Sequence, residues 1–456
     1  MLSASAALRR IASLVACLAL APCFAQAAPP GPRPFAEPPP DGPVEPSPYA
    51  EPPPDDEPPG RERERDDRST YEVAARPVAT HPLVVSIFAP AATNGGRPVE
   101  TYAELNLLYG QVGALHGVGI GTFSAVEGPA WGLRVAALVN AQTTLDESGG
   151  LWVAGLSNFA RSDVAGWHVA GLFNRSRALD GVQLAGGFNL AKGLVQGAQI
   201  AGGGNVAGEL SGLQIAGLFN GAESGSGGQL GAINLGEGEF AGAQIGALNL
   251  SLRAFGGAQL GAINYAYEAA DALQLGAINA AREVEGGLQI GVINYARRFV
   301  RGGLQFGLIN VATRGEGTQV GLISVSERLA VEPLAWGSWG RGASYSAGLR
   351  LRNGAPYSQI FFTTATAPGR DRLGAGLALG ARVSPEGPFF VDLDAAYSYL
   401  APAEAGASAE HRPAARASIG WNPTEHFGVF VGASGGMRLR GDEARAAFEG
   451  FAGVHF

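Results

Sequence analysis

The chain has 456 residues, with 32 basic against 40 acidic side chains and a formal net charge of −8. Without a basic surplus there are no bound counterions to release, which excludes nucleic-acid binding driven by bulk charge. Glycine is twice as common as usual, with 69 residues where roughly 7% is typical, and charged residues make up only 16%.

Residues 1–27 read as a secretory signal peptide. Arg9 and Arg10 form a positive start, and Ile11 to Ala21 is an apolar stretch too short to span a bilayer. Ala25-Gln26-Ala27 supplies the small-x-small cleavage pattern, so the mature chain is expected to begin near Ala28. Cys17 and Cys23 are the only cysteines. Once the leader is removed, no disulfide framework, thiolate zinc site or cysteine nucleophile remains. Pro22 before Cys23 argues against lipidation, which normally follows a small residue.

Residues 28–80 are expected to be a Pro-rich and charged disordered spacer. Residues 29–60 hold 15 of the 29 prolines, and AEPPPD occurs at 36–41 and again at 50–55. Proline at that density blocks helix and sheet. The run Arg61 to Arg68 then alternates charge. Residues 81–130 read as an N-terminal β segment. Ala103, Leu105, Leu107 and Tyr109 alternate with Glu104, Asn106 and Gly110, and Gly117 to Ser124 offers a hairpin partner.

Residues 131–325 are tandem repeats with the unit G-[LA]-Q-[IL]-G-[AV]-[IL]-N. Glutamine recurs every 15 residues at Gln199, Gln214, Gln229, Gln244, Gln259, Gln274 and Gln289, then at Gln305 and Gln319. Asparagine follows at Asn205, Asn220, Asn234, Asn249, Asn264, Asn279, Asn294 and Asn310, with Ser324 in the last unit. Degenerate units carry Asn140, Asn158, Asn174 and Asn189, and His168 stands where other units have Gln. A fixed period of this kind means a repeat architecture. The apolar, β-branched run in each unit is a strand signal, and two glycines per unit argue against helix.

Direction is the open question. In a parallel solenoid each unit is one coil, identical residues stack every ~4.8 Å, and Asn and Gln form amide ladders. In an antiparallel barrel the true repeat would be a hairpin of two units. Odd and even units do not differ, which favours the solenoid. The alternative is one large antiparallel barrel of roughly 22 strands that includes the repeats. The Asn and Gln columns are read as a structural ladder rather than a ligand row.

Residues 326–456 are expected to form an antiparallel β-barrel of the outer-membrane type. Two-residue alternation sets Val391, Leu393, Ala395, Tyr397 and Tyr399 against Asp392, Asp394, Ala396 and Ser398. Seven such segments fit near 343–352, 357–366, 372–383, 388–400, 412–422, 426–440 and 446–456, with an N-terminal strand available to close the barrel. Tyr345, Tyr357, Phe389, Tyr397, Tyr399, Trp421 and Phe427 are candidates for aromatic girdles. Asp392 and Asp394 are read as lining a polar lumen. The chain ends on Phe456, on one face with Phe448, Gly450, Ala452 and Val454. This terminal strand resembles the signal that bacterial outer-membrane barrels present to their assembly machinery.

The G-x-Q-x-G-x-x-N units behind a signal peptide resemble a family of bacterial surface-repeat proteins, with a match over roughly 145–325. The resemblance implies an envelope or surface location and no reaction. The histidines His81, His116, His168, His411, His426 and His455 show no metal-ligand spacing. Gly374-x-Gly376-x-x-x-Gly380 departs from the dinucleotide fingerprint. The expectation is therefore an exported, non-enzymatic protein without cofactor or metal, in the outer membrane or on the cell surface, with the periplasm as alternative. Its expected partners are outer-membrane lipid, the barrel-assembly machinery and an envelope ligand the sequence does not identify, but not nucleic acid. The competing function is a passive pore, which requires the repeats to form a barrel wall.

Overall fold

The computed structural model describes residues 79–456, except 316, 341, 367–370, 385–386, 403–407 and 425. The expected leader and almost all of the spacer lie outside the described residues. The described chain is all-β: a parallel solenoid of about 15 coils, followed by a closed eight-stranded antiparallel barrel.

The solenoid exists because each repeat runs in the same direction and stacks on its own equivalent residues. Gln259 lies beside Gln274 and Asn264 beside Asn279, and the next coil adds Gln289 and Asn294 in the same parallel register. Inside, apolar columns such as Leu179, Val195 and Leu210, then the stacked rings of Phe240 and Phe255, fill the narrow space. The first glycine of the unit is fixed by geometry. Gly242 has φ +135°, and a Cβ there would lie 2.0 Å from the carbonyl oxygen of Gly227 in the coil before. Neither the conformation nor the space admits another residue.

The favoured solenoid is formed and the alternative large barrel is not, because neighbouring repeats pair in parallel. Two expectations change. The N-terminal segment is not a hairpin: Glu100–Asn106 pairs in parallel with Ala114–Val126, which pairs in parallel with Ala130–Gln142. The coils therefore begin at the strand Thr80–Phe88, well before residue 131, with the Gln and Asn positions occupied by other residues. Finally, the eighth barrel strand is Leu329–Trp339, not an N-terminal strand, and it closes against Glu443–His455. Sequence alternation misses it because both its faces are largely apolar and it contains Pro333. Pairing to the closing strand begins one residue later, at Leu334, so the missing N–H of Pro333 breaks no ladder bond on that side.

The other barrel strands are Ala343–Asn353, Pro356–Thr366, Arg372–Val383, Phe389–Pro402, Glu410–Thr424, Phe427–Arg440 and the closing Glu443–His455. They match the seven alternating segments. The last solenoid strand, Thr318–Val325, packs against Ala343–Asn353 and Pro356–Thr366, so the barrel sits on the C-terminal end of the coil stack.

Candidate functional site: the amide columns and the barrel interior

The structure brings every expected ladder residue into one of two buried columns, none more than 2% exposed. In the glutamine column each Nε2 donates to Oε1 of the preceding coil, from Gln214 to Gln199 at 2.9 Å through Gln319 to Gln305 at 2.7 Å. In the asparagine column the bonds run the other way. Asn249 Nδ2 donates forward to Asn264 Oδ1, and Asn264 Nδ2 to Asn279 Oδ1, both at 2.8 Å. The two rows of amide dipoles thus oppose each other, which limits the field that either would build up alone. The second amide proton is also used. Asn264 donates to Leu275 O in the next coil, and Gln259 to Tyr265 O in its own. Through the middle coils both protons and the oxygen of each amide are engaged, so the columns there are self-satisfying structure.

The columns end differently: the asparagine column leaves Asn140 Oδ1 and, in its last coil, Ser324 Oγ without a hydrogen-bond partner among the described residues, whereas the glutamine column runs on. Toward the N-terminus, the glutamine register continues through Gln183 to His168, Trp152, Arg134, Gly119 and Glu104. His168 and Trp152 stack at 4.5 Å, and the Arg134 guanidinium lies 4.3 Å over the Trp152 ring. Gly119 leaves room for the Glu104 carboxylate, which accepts from Ser124 Oγ at 2.8 Å and Asn106 Nδ2 at 3.1 Å. Arg134 donates to Ser124 O and Oγ. Burial, with Arg134 nearby, pushes the His168 imidazole down to about 3, so it is neutral at neutral pH. Burial also lowers Arg134 to about 10 and raises Glu104 despite its hydrogen bonds. The sequence placed His168 in the glutamine column. It did not place Arg134 and Trp152 there, because the local spacing stretches from 15 residues to 16 and 18.

The barrel interior holds the acidic pair expected there. Arg382 binds Asp392 through Nε at 2.8 Å and Nη2 at 2.9 Å, and Arg350 Nη1 reaches the same carboxylate at 2.9 Å. Asp394 accepts from Arg416 Nε at 2.6 Å and from the Tyr357 hydroxyl at 2.8 Å. Tyr357 therefore points inward, 4% exposed, and does not join an outer girdle as expected. Its position between Arg352 and Gly380 puts it on the inward parity of its strand. Trp336, Phe361, Phe390, Phe430 and Phe451 pack across the middle. At the far mouth Glu410 accepts from Arg412 and Arg440.

The outward positions are the complement of this interior. Alternate residues such as Val331, Leu349, Ile360, Leu377, Leu393, Ile419, Val431 and Phe448 face out, and on all eight strands the described outward positions carry no Asp, Glu, Lys or Arg. Phe389, Trp421 and Phe456 are exposed at the solenoid end, and Trp339, Tyr345 and Phe448 toward the other. Phe456 completes the closing strand. Its N–H donates to Pro333 O at 2.9 Å, and its ring lies 5.6 Å from Phe427. Compared with known proteins, the chain matches no family model, no curated protein and no solved structure.

Proposed function

We propose that the chain is a non-enzymatic envelope protein whose eight-stranded barrel spans the outer membrane and holds the solenoid as a rigid scaffold. One observation carries this reading: every charged side chain described on the barrel strands points inward or lies at a mouth, and the outer wall is wholly uncharged. A barrel in water has the opposite need, whereas an outward apolar band with a polar interior suits lipid. The even strand number and the exposed aromatics toward both ends support the same reading.

The pore reading loses its premise, since the repeats build no wall and aromatic and ion-paired side chains fill the eight-stranded interior.

The test is membrane fractionation of a Gram-negative host expressing the full chain, with heat-modifiable gel mobility and planar-bilayer conductance. Outer-membrane recovery, a mobility shift on boiling and no steady conductance are expected. Recovery in a soluble fraction would overturn the anchor, and a stable open channel would restore the pore.

A further inference from the structure

The solenoid is as one-sided as the barrel wall. From Leu133–Ala141 through Thr318–Val325, each coil contributes a stretch from the residue before the Gln position to the residue after the Asn position. These stretches form two sheet faces and the corner between them. Apart from Arg134 and His168, which point into the buried column, their only charged residue is Arg175. The outward side chains are Leu, Ile, Val, Phe, Trp, Tyr, Ala and Gly almost throughout, and many are open: Leu218 is 64% exposed, Leu308 57% and Phe306 53%. The charges collect on the remaining edge, among them Arg253, Glu268, Asp271, Arg282, Glu283 and Arg297. At about 4.8 Å per coil the uncharged side runs for roughly 60 Å. Each stretch adds about 25 Å of width at roughly 3.3 Å per residue, so the side covers on the order of 1,500 Å², well above the apolar patch of a few hundred Å² that an ordinary soluble surface carries.

We propose that this side of the solenoid lies in the phospholipid layer that the barrel spans, leaving the charged edge in water. The inference rests on the membrane reading of the barrel. Three features select lipid as the occupant. The apolar surface wraps a corner, so a second rigid copy would cover one face and leave the other wet, whereas a fluid layer covers both. It also adjoins the barrel: the strand Thr318–Val325 ends the uncharged side and packs directly on barrel strands whose outer wall is uncharged too. Finally, the backbone N–H and C=O groups of both faces are bonded from coil to coil along the stack, so lipid on the faces strands no backbone polar group. The arrangement is that of an amphipathic element lying in the interface plane, built from coils instead of a helix.

The experiment uses the full chain with Cys17 and Cys23 replaced by Ser, reconstituted in phosphatidylethanolamine–phosphatidylglycerol vesicles. Single nitroxides are placed through Leu275→Cys and Ile293→Cys on the uncharged side, Arg297→Cys on the charged edge and Leu393→Cys on the barrel wall. Relaxation by oxygen, which enters lipid, is compared with relaxation by a water-soluble nickel chelate. Leu275 and Ile293 positions are expected to match Leu393, with oxygen dominant by about tenfold, and Arg297 to show the reverse. A nickel-accessible Leu275 and Ile293 beside a lipid-facing Leu393 would overturn this inference and leave the barrel reading standing. Exclusion of both probes would also overturn it, since protein would then cover the face, either a second copy or the segment 29–60. A nickel-accessible Leu393 would remove the barrel reading and this inference with it.

Discussion

Asn353, at the turn between the second and third barrel strands, donates from Nδ2 to Oε1 of Gln319 at 2.6 Å and so continues the glutamine column by one step. Ser326 Oγ donates in turn to Asn353 Oδ1. A stack of parallel coils must end somewhere, and its last amide oxygen must be satisfied or left as a buried orphan. Here the barrel supplies the missing donor. Changing Asn353 to Leu strands Gln319 Oε1, at about 1–3 kcal/mol for a buried unpaired group. Circular dichroism melts should show a lower midpoint for Asn353→Leu, and a partial return for Asn353→Gln, whose amide is one methylene longer.

The asparagine column predicts a difference between middle and end. Asn264→Leu removes the bonds to Asn249, Asn279 and Leu275 O, whereas Asn310→Leu removes those from Asn294 and to Val320 O. Both variants destabilise, and the middle one by more, by roughly the net 1 kcal/mol of one further hydrogen bond. Thermal unfolding of the two variants beside the parent measures it.

His168 gives a pH signature. Its folded value is about 3, far below the 6.5 of a free imidazole. Between these values the unfolded chain binds a proton that the folded chain does not, so the His168 contribution to stability falls as pH drops through 6.5 toward 3. At pH 5 the loss relative to pH 7 is on the order of 2 kcal/mol. In His168→Gln that component disappears. Denaturant unfolding of both proteins at pH 7 and pH 5 should show a smaller pH difference for the variant.

The two glycine environments separate cleanly. Gly242→Ala places a Cβ against a neighbouring backbone oxygen at a positive φ, and neither can relax without breaking the stack. A loss above about 4 kcal/mol, or failure to fold, is expected. A Cβ at Gly256 would meet no atom nearer than Ala270 O at 3.6 Å, so Gly256→Ala should stay within about 1 kcal/mol of the parent. Yield of folded protein and melting midpoint report both.

The period near 15 carried most of the fold, because stacking like on like in parallel keeps the coils close to one length, and steps of 14 or 16 leave the pattern readable. That is why the columns from Gln199 to Gln319 and from Asn140 to Ser324 were legible without a structure. The N-terminal coils were not, since Glu104, Gly119, Arg134 and Trp152 share a column without sharing chemistry, and their register is set by insertions of one to three residues. Alternation exposed seven barrel strands whose inward faces are polar. It failed on Leu329–Trp339, where Leu334 and Trp336 face inward and Val331 and Trp339 outward, so both faces read as apolar. Asn353 as a cap had no signal at all, because it depends on contact between two domains.

The uncharged outer wall is the central claim, and a single arginine tests it. Leu393 sits outward on the strand Phe389–Pro402, and Ala396 on the same strand faces inward. Folding equilibria of the full chain into phospholipid vesicles, for the parent and Leu393→Arg, give the cost of a charge on that wall. A penalty of about 2–4 kcal/mol is expected if the residue meets the bilayer interior. A penalty near zero, together with equal folding of the parent in vesicles and in plain buffer, would contradict the account.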